Sequence, residues 1–123
     1  MPKIKGWSRD KKREGDTHRR YTNKIMTVTT RIREWTNTEY ADNVKGKPSV
    51  TIDKQETIFK RENEVIDTQY QVYIRAFREE ATMYQFNKMS AGSLATRLRM
   101  FDTRRKAMNY ATRWIKKHPR GLV

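Results

Sequence analysis

The chain has 123 residues, 28 Lys/Arg against 14 Asp/Glu, a formal net charge of +14 and a mean hydropathy of −1.07. That length suits one domain rather than two, and no window approaches the roughly 20 apolar residues of a membrane-spanning helix. The absence of cysteine excludes disulfides, thiolate metal sites and cysteine nucleophiles, and with a polar N-terminus it points to the cytoplasm, including nucleoid-associated or virus-infected-host settings.

Residues 1–20 read as a basic arm. Lys11-Lys12-Arg13 is a block found in mobile tails and in ordered loops alike, and Lys11 to Asp16 reads as a loop between short strands around Trp7 and Tyr21. Lys24 to Trp35, rich in Thr, Val and Ile, predicts a long strand. Gly46 and Pro48 mark a turn within Asn43 to Pro48. Val50-Thr51-Ile52 and Thr57-Ile58-Phe59 predict the returning arm of a hairpin, although residues 39–63 as a whole read as an insertion or loop on a smaller sheet.

Gln69 to Phe77 alternates cleanly, with Tyr70, Val72, Ile74 and Ala76 on one face and Gln71, Tyr73, Arg75 and Phe77 on the other. Residues 78–93 read as a second insertion or loop, ending in Ser90-Ala91-Gly92-Ser93. Leu94 to Phe101 then places Leu94, Thr96, Leu98 and Met100 opposite Arg97 and Arg99. A strand is the expected state, with helix the alternative because Leu, Ala, Arg and Met also suit it.

From a cap at Asp102 or Thr103, Ala107, Tyr110, Ala111, Trp114 and Ile115 make an apolar stripe at helical spacing. Arg105, Lys106, Asn109, Arg113, Lys116 and Lys117 fall on the other side, and His118-Pro119 followed by Gly121 stops the helix. The expected fold class is α+β, a single domain with an antiparallel sheet of about four to six strands and a C-terminal α-helix packed on one face. So polar a chain buries a modest core, so part of its apolar surface is expected to be covered by a second copy, making a homodimer.

The charge is concentrated at the two ends. Met1 to Lys24 nets +6, Leu94 to Val123 nets +8, and Ile25 to Ser93 carries ten charges of each sign. A charge so placed points to a polyanionic partner. Enzymatic groups are harder to find. His18 and His118 have no ligand at i+3 or i+4 and read as surface residues. Gly46-Lys47-Pro48-Ser49 lacks the upstream glycine of a phosphate loop. Glu62, Glu64, Asp67 and Glu79-Glu80 lie among Lys60, Arg61 and Arg78 in segments that read as solvated loops. No enzyme, cofactor, metal, membrane or small-molecule substrate is therefore expected, with a metal-dependent nuclease the distant alternative.

Cations interleave with aromatics at Trp7 (between Lys5 and Arg9), Tyr21 (after Arg19-Arg20), Trp35 (after Arg31 and Arg33) and around Arg75. That mixture suits single-stranded nucleic acid, where cations track phosphates and bases stack on rings. Each tryptophan has an equal claim on the core, and Trp114 on the helical stripe belongs there. The expected contacts are Arg97, Arg99, Arg75 and Tyr73 on the sheet. Arg19, Arg20 and Tyr21 join them, with Lys11, Lys12 and Arg13 from the loop. Low-specificity binding of single-stranded DNA or RNA is the first reading. A virion or nucleoid assembly component neutralising nucleic acid or an acidic partner is the second.

Gly6-Trp7, Tyr21-Thr22-Asn23 and Trp114-Ile115-Lys116-Lys117-His118-Pro119-Arg120-Gly121, with the strand order before them, resemble the PC4/Whirly type of single-stranded-DNA-binding domain and small basic proteins of archaea and their viruses. The resemblance covers both ends and the Gln69 to Phe77 strand, and it leaves out residues 39–63 and 78–93. It implies a dimer formed through the helices, with the opposite sheet face or the sheet edges gripping a single strand. Arg97, Arg99 and Arg75 would lie on that surface, with Tyr73 stacking.

Overall fold

The alternating stretches pair into one antiparallel sheet in a computed structural model that describes residues 4–39, 47–77 and 94–123. Its elements in chain order are β1 (Trp7–Arg9), β2 (Thr17–Tyr21), β3 (Ile25–Asn37), β4 (Ser49–Phe59), β5 (Glu64–Phe77), β6 (Leu94–Phe101) and α1 (Arg104–Lys117). The sheet runs β1-β3-β4-β5-β6, and β2 pairs the other end of β3 along the same edge as β1. The fold is α+β, with six strands and one helix against one face among the described residues.

Partners across an antiparallel ladder point to the same side, so register decides which residues meet the helix. Trp35, Val50 and Ile74 form one such row, and Ile52 and Val72 another. All five are buried, with Trp7 and Ala76, beneath Ala107, Ala111, Trp114 and Ile115 of α1. The two alanines give the helix a narrow contact ridge, and the β-branched residues fill the pleat below it. At the start of α1 the Thr103 hydroxyl accepts a hydrogen bond from the Lys106 amide at 3.2 Å. Thr103→Ala is expected to lower stability by about 1 kcal/mol, read from the midpoint of urea unfolding.

The two ends of the chain lock onto each other. Trp7 donates its indole N–H to the His118 carbonyl at 2.9 Å and meets Trp114 edge-on, ring centres 6.0 Å apart. The His118 ring stacks on Trp114 at 4.1 Å. Asn37 donates its side-chain amide to the Pro119 carbonyl at 3.1 Å. Gly6, at φ +82°, lies so close to this turn that a Cβ would sit 2.0 Å from the Pro119 oxygen. The last residues then run beside β5, where Phe77 donates to Gly121 and Val123 donates to Phe77, each at 2.9 Å.

Several expectations change. Within residues 39–63, Ser49 to Phe59 form no loop but β4, the returning arm of the hairpin, which pairs along its length with both β3 and β5. Glu64 and Asp67 belong to β5 rather than to a loop. His118 is no free surface histidine but a half-buried cap, its Nδ1 2.7 Å from the Trp114 carbonyl. Residues 94–101 take the strand and not the helical alternative. The turn at Gly46, the Glu79-Glu80 pair and the Ser90 to Ser93 loop lie outside the described residues. Beyond Ile52 and Val72, β3, β4 and β5 continue as a ribbon where Tyr21, Phe59, Val65 and Ile66 are exposed.

Candidate nucleic-acid interface

Register also decides where the predicted contact residues point. Arg97 pairs with Ile74 and Arg99 with Val72, so both arginines project from the helix side of the sheet. Arg75 pairs with Thr96 and Tyr73 with Leu98, on the opposite side. The single surface expected from Arg75, Tyr73, Arg97 and Arg99 is thus divided by the sheet itself. Alternation within each strand is visible in the sequence, but the parity that joins one strand to the next is not.

On the helix side the cations accumulate. The Arg99 guanidinium lies 5.3 Å over the Tyr110 ring, which also packs on Phe101, and this ties β6 to α1. Arg105, Arg113, Lys116 and Lys117 are exposed on the outer face of the helix. Lys106 pairs with Asp102 at 3.0 Å, and its ammonium holds the Asp102 carboxyl below the usual carboxylate range. Asp102 is the only acid from Leu94 to Val123. The sequence puts these helix cations on the solvent side, outside the contacts expected on the sheet. The signal was there in an outer stripe holding no acid.

From Trp7 onward the basic segment is built into the sheet as β1, a turn and β2. Asp10 Oδ1 accepts from the Lys12 amide at 3.0 Å, the Glu14 amide donates to the Lys11 carbonyl at 3.3 Å, and the Gly15 amide reaches the Arg31 carbonyl at 2.8 Å. These bonds fix a turn that leaves Lys11, Lys12 and Arg13 exposed. On β2, Arg19 shares a row with Val28 and Arg20 a row with Thr27, so the two point to opposite sides. Tyr21 is 62% exposed, with the Lys60 ammonium 5.5 Å from its ring centre. Trp7, Trp35 and Phe77 are buried and Tyr73 is half-buried, which leaves Tyr21 as the accessible ring of that set.

Below the helix side, charge is compensated. Arg9 grips Glu14 with two hydrogen bonds of 2.8 Å, and Arg33 Nε lies 3.6 Å from the same carboxylate. Arg33 is buried beside Trp35, and its Nε and Nη1 have no hydrogen-bond partner. Burial, and then the neighbouring charge of Arg9, push the Arg33 guanidinium below its ordinary range. Hydrogen bonding to Arg9, reinforced by the charge of Arg33, holds the Glu14 carboxyl below its own. A carboxyl lowered by folding contributes stability above its unfolded pKa and loses it as pH falls through the folded value. Glu14→Gln is therefore expected to lower stability at pH 7, by no more than about 1 kcal/mol because solvent screens the Arg9 pair. The gap from the unmodified protein should close as pH falls below about 4, as read by thermal melts across pH.

Among the described residues, no group of three His, Cys, Asp or Glu side chains is placed to hold a metal ion, and no helix is long and apolar enough to cross a membrane. No family model, curated protein or solved structure matches the chain.

Proposed function

We propose that this protein binds nucleic acid through the phosphate backbone, with weak sequence preference and no chemistry of its own. The observation that supports this reading is the acid-poor cationic surface built by β6 and the outer face of α1, from Arg97 and Arg99 to Lys117. Phosphate contacts of this kind supply affinity without reading sequence. The stacking originally expected on the sheet face receives less support, because Tyr73 is half-buried and separated from Arg97 and Arg99. Tyr21 is the better candidate for stacking on a single strand.

A pairing of two copies through α1 would oppose Arg105, Arg113 and Lys116 of each, so this face suits a polyanion better than a dimer seam. The test is amide chemical-shift mapping with a short oligonucleotide. Shifts centred on residues 97–117 are expected. Shifts confined to the Tyr73 and Arg75 side, or no shifts at low salt, would overturn the assignment.

A further inference from the structure

The helix-side surface accounts for only part of the charge. A cleft of about 560 Å³ opens at the β1 edge, where Ser8, Thr36, Lys11, Lys12 and Lys47 meet one carboxylate, that of Asp10, against the further cation Arg9. Ser8 and Thr36 are cross-strand partners. Their neighbours Trp7 and Trp35 are buried under α1, so alternation aims the two hydroxyl groups away from the helix. Lys11 and Lys12 reach this cleft from the turn held by Asp10, Glu14 and Gly15. Hydroxyl donors beside ammonium groups, in an open and already shaped cleft, suit the oxygens of a phosphodiester.

We infer that one copy of the chain bridges two nucleic-acid segments. The helix side holds one, and the Lys11–Lys12 cleft takes the backbone of the other. This rests on the nucleic-acid reading proposed above and extends it from coating to cross-linking. The cleft wraps the β1 edge, and its Ser8–Thr36 wall is separated from the outer face of α1 by a helix layer and a sheet, on the order of 20 Å, about twice the Debye length at physiological salt. Two polyanions held on opposite sides are therefore well screened from each other.

The test uses the full chain with two duplexes, one biotinylated for capture and one fluorescent, and reads fluorescent duplex retained on streptavidin. Anisotropy on a single duplex is measured in parallel. The unmodified protein should co-capture. Lys11→Ala/Lys12→Ala, in an exposed turn, should reduce co-capture about fivefold or more while single-duplex affinity falls by only a few-fold. Binding without co-capture would overturn bridging and leave the nucleic-acid reading intact. Co-capture undiminished in the double variant would also overturn it, since a dimer using one surface per copy gives that result. Loss of binding in the anisotropy assay would overturn the underlying reading as well.

Discussion

Replacing Arg105, Arg113 and Lys116 together with alanine is expected to weaken nucleic-acid binding by roughly 100-fold near 0.1 M salt. The three side chains are exposed on the outer face of α1, away from Ala107, Ala111, Trp114 and Ile115. Alanine is the best helix former, so the fold should survive and circular dichroism should be unchanged. If each cation neutralises one phosphate, the slope of log affinity against log salt should also flatten, by about 0.9 per residue on duplex and about 0.7 on single strands. On duplex, where Tyr21 has no unpaired base to stack on, Lys24, Lys60 and Arg61 provide the control, since they are exposed on the ribbon beyond the core and carry the same total charge. Their joint replacement should change affinity only a few-fold. Equal losses in the two triple variants would mean that net charge, and not a surface, governs binding.

The largest effect on stability is expected from Trp7→Ala, about 4 kcal/mol by comparison with other buried tryptophans. The residue fills the core beside Trp114 and carries the hydrogen bond to His118 that joins positions 111 apart in sequence. Trp7→Phe should retain part of the packing, lose the indole donor and fall between the two. Gly6→Ala attacks the same junction by another route, since its φ of +82° and the approach of Pro119 leave no room for a methyl group. With a total stability of order 5–15 kcal/mol for a domain, any of these shifts the unfolding midpoint visibly. Urea unfolding monitored by tryptophan fluorescence, with denaturant slopes compared, is the appropriate measurement.

Much of the architecture is legible in the chain. The period-2 stretches at Gln69–Phe77 and Leu94–Phe101 and the 3.6-period stripe from Ala107 to Ile115 give the strands and the helix directly. β4 is legible only at its ends, Val50 to Ile52 and Thr57 to Phe59, because its middle, Asp53-Lys54-Gln55-Glu56, is as polar as a loop. That stretch lies on the ribbon beyond the helix, where no core imposes an apolar face. The bulge between Arg31 and Arg33 hides a change of parity in the same way. Before it Arg31 faces Asp53 away from the helix, and after it Arg33 turns under Trp35 into the core side.

The candidate surface was legible as charge but not as geometry. Nothing in the residues of β5 and β6 states that Val72 pairs with Arg99, and that pairing separates Arg97 and Arg99 from Tyr73. The short motifs at Gly6-Trp7 and Trp114 to Gly121 are accounted for by packing between the chain ends, through the indole bond and the close approach of Gly6 to Pro119.

A surface that binds the phosphate backbone through its charge must lose affinity as salt rises. Anisotropy of matched single-stranded and duplex oligonucleotides, measured from about 50 to 200 mM salt, should show log affinity falling linearly with log salt, with a slope of several units. Affinity independent of salt, or no binding of either form at 50 mM, would contradict it.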